Sequence, residues 1–319
     1  MKIRINLVTV VLLTIISCSE KTDYQKGLDA KFKNNWQTSL THFYAIPPNS
    51  PDYDSAQAQI KHINNAIIIS FKEPFEKGDY LSIVQFIDNN PVFLKDPMFD
   101  TIRISVNTIF LRESKQLAQS MATCYTFVLR GQYDNASEVL HKYPTPLINT
   151  NNQAAKLFRI IQGVQAQRLF ESKRASFWKN YNIALNEIKK SQIFNEANNW
   201  TASNYSYGTY WRGTIKQLST DKGGSKVDIS IESTQSGFTV EYRTSMSFFE
   251  DKSMIRSGTA VYNQLSDVAV GDEVFFVFSF IPDKERSIRE GSLTESGSMY
   301  KPEFIVDFTE ILSMKELKH

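Results

Sequence analysis

Near residue 199 the apolar residues stop recurring every three or four positions and begin to recur every two. The first period keeps one face of a helix apolar, and the second keeps one face of a strand apolar. One regular element cannot satisfy both patterns. The chain is therefore expected to build a helical part over residues 19–198 and a β part over 199–319, an α+β, two-domain organisation. The length of 319 residues agrees with two domains at about 150 residues each. With 41% hydrophobic residues, 13% of all residues being aromatic, both parts can bury a core.

In the helical part Leu28, Phe32, Trp36, Leu40 and Phe43 recur at helical spacing. Pro47, Pro48 and Pro51 then break the chain. Asp52-Tyr53-Asp54-Ser55 offers a capped restart, with Ala56, Ile60, Ile63 and Ala66 or Ile67 on one face. From Gln153 to Phe170 a core stripe is expected of Ala154, Leu157, Ile160, Ile161, Val164 and Leu169, capped by Asn151 or Asn152. A last helix carries Phe177, Trp178, Tyr181, Ile183, Leu185 and Ile188. Three turns share a pattern of a turn residue, then an aromatic, then a small or apolar set. They are Lys77-Gly78-Asp79-Tyr80, Arg130-Gly131-Gln132-Tyr133 with Ala136, and Asn34-Asn35-Trp36 with Ser39. These resemble the turn between the two helices of a tetratricopeptide repeat. The spacings between their aromatics exceed that family's usual ~34 residues, so the hairpins would be irregular, with an unrelated helical bundle as the alternative. The resemblance implies stacked hairpins with a concave surface for a protein or peptide; otherwise the helices merely support the β part.

In the β part Tyr210 to Leu218 is a first strand and Asp221-Lys222-Gly223-Gly224 a turn. Lys226 to Glu232 and then Phe238 to Tyr242 continue, placing Val227, Ile229, Ile231, Phe238, Val240 and Tyr242 on an inward face. Asp228, Ser230, Glu232, Thr239, Glu241 and Arg243 would face out. Ala260 to Leu265 is a short helix, and strands follow over Glu273 to Phe280 and Phe304 to Ile311. Three strands, a helix and two strands is the order of an OB-fold. Leu265 to Val274, with Gly271-Asp272, and the ending Pro302 to Val306 resemble OB-like domains related to the tRNA-anticodon-binding class. The resemblance implies a five-stranded barrel and a binding fold, with no fixed ligand. Nucleic acid is not the expected ligand. The outward set has no aromatic for base stacking and holds three acids, and residues 200–319 carry 13 Lys/Arg against 17 Asp/Glu. The connection Ile281 to Lys301 is longer than the ~12–15 residues usual for a plain loop. Its Arg286, Arg289 and Tyr300 are the candidate ligand-binding residues, against the alternative of a mobile solvated loop.

The start of the chain sets its compartment. Lys2 and Arg4 precede an apolar run, Ile5 to Ile16, and small Ser17 precedes Cys18. This is the layout of a signal peptide over residues 1–18; the run is shorter than the ~20 residues of a membrane-spanning helix. Ile15-Ile16-Ser17-Cys18 resembles the lipobox of bacterial lipoproteins. That implies acylation (palmitate) at Cys18, with two or three chains anchoring stably. Ser19 after Cys18 resembles the pattern sent to the outer membrane of the cell envelope.

Catalytic chemistry is not expected. His42, His62, His141 and His319 are scattered, and no HExxH, CxxC or GxSxG occurs. Gly223-Gly224-Ser225 lacks the flanks of a phosphate loop and reads as a turn. The acid pairs Glu250-Asp251 and Asp272-Glu273 are adjacent and would point apart on a strand. Cys124 has no partner cysteine in the mature chain and sits on an apolar helical pattern as a buried thiol. No catalytic residue, cofactor or metal ligand is therefore expected. The chain reads as a non-catalytic lipoprotein that binds an envelope protein or peptide, with a glycan or other small ligand as the alternative.

Overall fold

The computed structural model describes residues 21–235, 237–244, 254–284, 286–314 and 316–318. Cys18, His319 and the pair Glu250-Asp251 lie outside them. Two compact units divide the chain, one ending at Arg112 and the other beginning at Glu113. The architecture is mixed α+β: helices first, then a six-stranded sheet.

The first unit contains α1 (Asp23–Phe32), α2 (Trp36–Tyr44), α3 (Tyr53–Ser70), α4 (Lys72–Glu76), α5 (Tyr80–Asn89) and the start of α6 (Pro97–Leu129). Its hairpin turns need a left-handed residue. Asn34 has φ 56° between α1 and α2, and Gly78 has φ 70° between α4 and α5. Asn35 and Asp79 cap the following helices, accepting from the amides of Thr38 and Ser82. Gly27 lets α1 sit on α2, because a Cβ there would lie 2.5 Å from the Phe43 ring. Leu40, Phe43, Ile63, Ile87 and Phe99 form the core. Two expectations fail locally. Phe32 ends α1 at the turn and is exposed rather than packed. Asp52 precedes α3 without a side-chain cap bond.

The second unit holds the rest of α6, then α7 (Tyr133–Leu140), α8 (Thr145–Asn149), α9 (Asn152–Asn182) and α10 (Glu187–Asn204), followed by the sheet. Asn151 caps α9 by accepting from the amide of Ala154 at 3.0 Å. Ala154, Leu157, Ile160, Ile161 and Val164 are buried as expected. The stripe does not pass through Leu169, which is exposed. It continues through Gln167, Glu171 and Arg174, three polar residues that are nevertheless buried. The expected core set at the end of the helices also divides. Phe177 and Tyr181 are buried, but the chain turns after Asn182, and Asn186 caps α10. Ile183, Leu185 and Ile188 fall on that turn and the start of α10, and stand exposed.

The change of hydrophobic period near residue 199 falls inside this unit, because α9 packs on the first strand. A Cβ at Gly163 would lie 1.9 Å from the Thr209 carbonyl oxygen. The strands are β1 (Tyr207–Thr220), β2 (Lys226–Gln235), β3 (Phe238–Arg243), β4 (Ile255–Arg256), β5 (Glu273–Phe280), β6 (Pro282–Asp283), β7 (Ser287–Ile288) and β8 (Glu303–Ser313). The sheet order is β1-β5-β8-β3-β2-β4, and β1 also pairs with β2. Every pairing is antiparallel except β3 with β8. Helix α11 (Ala260–Gln264) lies between β4 and β5, and α12 (Glu295–Tyr300) precedes β8. The register of β1 shifts between Gly208 and Trp211, where Tyr210 has φ 52°. This bulge sits at the close approach to Gly163.

All six residues expected inward are buried, around Trp211, Phe276, Phe278 and Phe304, with Phe170 of α9 joining them. The outward set is less open than the pattern implies. Ser230 and Arg243 are buried as well. Ser230 donates to Glu241 at 2.6 Å, and Arg243 lies 3.6 Å from Glu241 and 3.5 Å from Glu303. Parallel pairing brings β8 beside β3, so Glu303 covers the arginine.

Candidate functional site

The second unit has a polar cleft of about 450 Å³. One wall is helical, with Tyr133 of α7 and Val164, Gln167, Arg168 and Glu171 of α9. The other is the sheet, with Arg212, Gly213, Thr214 and Lys216 of β1, Glu232, Ser233 and Thr234 of β2, and Glu273 of β5. The Arg130-Gly131-Gln132-Tyr133 turn picked out in the sequence thus becomes part of the site. Gly131 has φ 71°, and a Cβ there would meet the Arg212 guanidinium at 3.1 Å. Tyr133 is buried beneath two cations, with Arg168 at 5.5 Å and Arg212 at 5.9 Å from its ring centroid. Burial raises its hydroxyl above the usual range.

The inner end of the cleft is held by Gln167. Its Oε1 accepts from the Arg212 amide at 2.6 Å. Its Nε2 lies 2.8 Å from both Glu171 and the Arg212 carbonyl, and 2.9 Å from the Ser233 hydroxyl. Burial pushes the Glu171 carboxyl up to about 7, against the stabilising hydrogen bonds of Ser233, Gln167 and Tyr242. The outer end is ionic. Arg212 donates to Glu273 at 2.6 Å, Lys216 lies 3.3 Å from Glu232, and Arg168 reaches Asp134 at 3.2 Å. Three cations therefore line the cleft against Glu232, Glu273 and Glu171, the last with its carboxyl raised by burial to about 7. Such a lining can bind a polar or acidic ligand through both donors and acceptors.

One turn beyond Glu171, Arg174 is fully buried. It donates to Asn198 at 3.1 Å, lies 3.5 Å from Glu290, and stands 5.4 Å over the Phe304 ring. Burial pushes the Glu290 carboxyl up to about 7, outweighing the attraction of Arg174 and Arg286, while Glu303 pushes the same way. The Ser298 hydroxyl donates to Glu290. The Ile281–Lys301 segment is therefore folded inward rather than solvated throughout. Arg286 bonds the Asp283 carboxylate with its amide and the Ser292 carbonyl with its guanidinium. The backbone of Arg289 links Ile281 to Ile305. Tyr300 is exposed, its ring 5.3 Å from Trp178. None of these three predicted residues lines the cleft.

Gln167, Glu171 and Arg174 were missed as site residues in the sequence. Their signal was position: they continue the buried stripe of α9 where apolar residues are due. Cys124 is buried, and that burial pushes its thiol up to about 11. His42 contacts Asp23, and His141, just past the end of α7, contacts Ser137 of that helix. Among the described residues no three His, Cys, Asp or Glu side chains gather as a metal ion would require, and no helix is long and apolar enough to cross a membrane. Compared with protein-family models, curated proteins and solved structures, the chain matches none.

Proposed function

We propose that this is a lipid-anchored protein of the bacterial envelope, acylated at Cys18, and that it acts without catalysis as a binding module for a protein or peptide partner. Its sheet is an OB-like barrel and its hairpins are tetratricopeptide-like. Two features support the barrel. The pairings β1–β2, β2–β3, β3–β8, β8–β5 and β5–β1 return to their starting strand, and a helix lies before the fourth of those five. Hairpin turns with left-handed Asn34, Gly78 and Gly131 support the repeat-like reading.

The observation that carries the function is the cleft. Its exposed Lys216 and partly exposed Arg168 and Arg212, each paired with a carboxylate, flank a buried row of hydrogen-bonding groups, an arrangement suited to an extended polar peptide segment. Nucleic acid is disfavoured on the outer strand face. There Lys216, Lys301 and Arg243 are neutralised by Glu232, Glu241 and Glu303. The test is capture of a partner by cross-linking of the tagged, detergent-solubilised chain. Lys216→Glu with Arg168→Glu should abolish capture; undiminished capture by that variant removes the cleft from the function. A second reading follows from the same lining. Closely spaced donors and acceptors such as Gln167, Ser233, Thr234 and Glu232 also match a glycan or other small polar ligand. A glycan array probed with the full chain separates the two.

A further inference from the structure

The turn between α9 and α10 carries three bare aliphatic side chains. Leu185 is 99% exposed, Ile188 74% and Ile183 70%. Isolated exposed aliphatics are ordinary, but three within six residues at one projecting turn are not. Behind them is a collar of amphipathic rings. Buried Tyr181 lies one turn back on α9, half-buried Trp178 stacks on it at 6.1 Å, and exposed Tyr300 of α12 packs on Trp178 and offers the accessible ring. Around the collar are lysines. Lys179 and Lys189 are exposed, and among the described residues neither has a carboxylate partner. Lys190 pairs with Glu187 at 2.8 Å and stands over Tyr181. The nearby acids are Glu187, held by Lys190, and Glu295, which accepts from Ser191 at 3.0 Å.

We propose that this turn is a membrane-docking tip, which inserts Ile183, Leu185 and Ile188 shallowly among the lipids of an anionic bilayer surface. The turn thus gathers three exposed aliphatic side chains beside the Trp178–Tyr300 pair and Lys179, Lys189 and Lys190. Apolar residues, Trp and Tyr rings and lysines are the side chains that favour the acyl boundary, the interface and the lipid phosphates, respectively. A protein partner is a poorer match. A stable interface buries about 800 Å² on each side around a recessed anchor, whereas Leu185 projects almost free of its own chain. The tip does not require acylation, and it would fix the orientation of the second unit at a surface.

The probe is the full chain carrying Cys18→Ala, which has no acyl chain, with one environment-sensitive fluorophore attached at Leu185→Cys. The buried Cys124 thiol is protected from the label. A control chain carries the label at exposed Lys222→Cys. Each is mixed with vesicles of zwitterionic and anionic phospholipid. The expected result is a blue shift at position 185, quenched by lipid-borne quencher and absent at position 222. Adding Ile183→Asp and Ile188→Asp should weaken vesicle partition by at least about tenfold per substitution and abolish the shift, with the far-ultraviolet spectrum unchanged. An unshifted label at 185, whether or not the chain floats with the vesicles, overturns the proposal. So does a shift that survives both aspartates. Flotation without a shift would make another part of the chain the membrane contact and so overturns this proposal, while palmitate labelling at Cys18 tests the anchor separately.

Discussion

At the scale of single residues, two positions are decisive. Gly163 lies where α9 meets the bulge of β1, and the obstacle to any side chain there is backbone, the Thr209 carbonyl. Backbone cannot swing aside as a rotamer can, so Gly163→Ala should cost at least about 2 kcal/mol. Thermal unfolding should show this as a lower Tm, with Gly223→Ala, at an open position, as the control. Glu171 makes stability depend on pH. Its folded value of about 7 lies above the ordinary 4.5. Between those values the unfolded chain has shed the proton that the folded chain keeps. Stability therefore falls as pH rises from 4.5 to 7, by up to about 1.4 kcal/mol per pH unit, and levels off above. Glu290 contributes in the same window. Glu171→Gln should accordingly flatten part of the fall of Tm between pH 5 and 7, and an unaltered profile would refute the assignment. The glycine was visible in the sequence but its necessity was not. It depends on a strand 46 positions further along the chain.

At the scale of elements, the segment joining β5 to β8 is tied to α9 by the buried Arg174–Glu290 pair, alongside its own hydrogen bonds. Glu290→Ala would leave the Arg174 charge buried and alone, at a cost of about 3–5 kcal/mol. Trypsin should then cut at Lys284, Arg286 or Arg289 far faster than in the parent chain. Joint replacement by Arg174→Met and Glu290→Leu should recover much of the resistance, because no uncompensated charge remains. If Glu290→Ala leaves the cleavage rate unchanged, the pair does not hold the segment. Strand positions and inward faces were readable in advance, because alternation along Lys226–Glu232 and Phe238–Tyr242 is a local property. The cleft and the ion pair were not. Gln167 and Arg174 look like the end of an apolar stripe until Ser233 and Glu290, 66 and 116 positions away, supply their partners. The exposed turn at Ile183 to Ile188 was misleading for a related reason. Apolar residues near a helix end match the helical period whether or not anything covers them.

At the scale of the whole molecule, the proposed anchor sets the compartment. Cys18→Ala should abolish incorporation of labelled palmitate. Label retained by that variant would place the acyl chain elsewhere.

The strand made last of the eight sits in the middle of the sheet. β8 is inserted between β5 and β3, and its parallel partner β3 is separated from it by about sixty residues. The hydrophobic faces of β1, β2 and β3 consequently remain without their central neighbour until synthesis has reached Ser313. In the proposed export the nascent chain would cross the membrane with those faces open, and a chaperone that shields extended apolar segments would find its substrate in that interval.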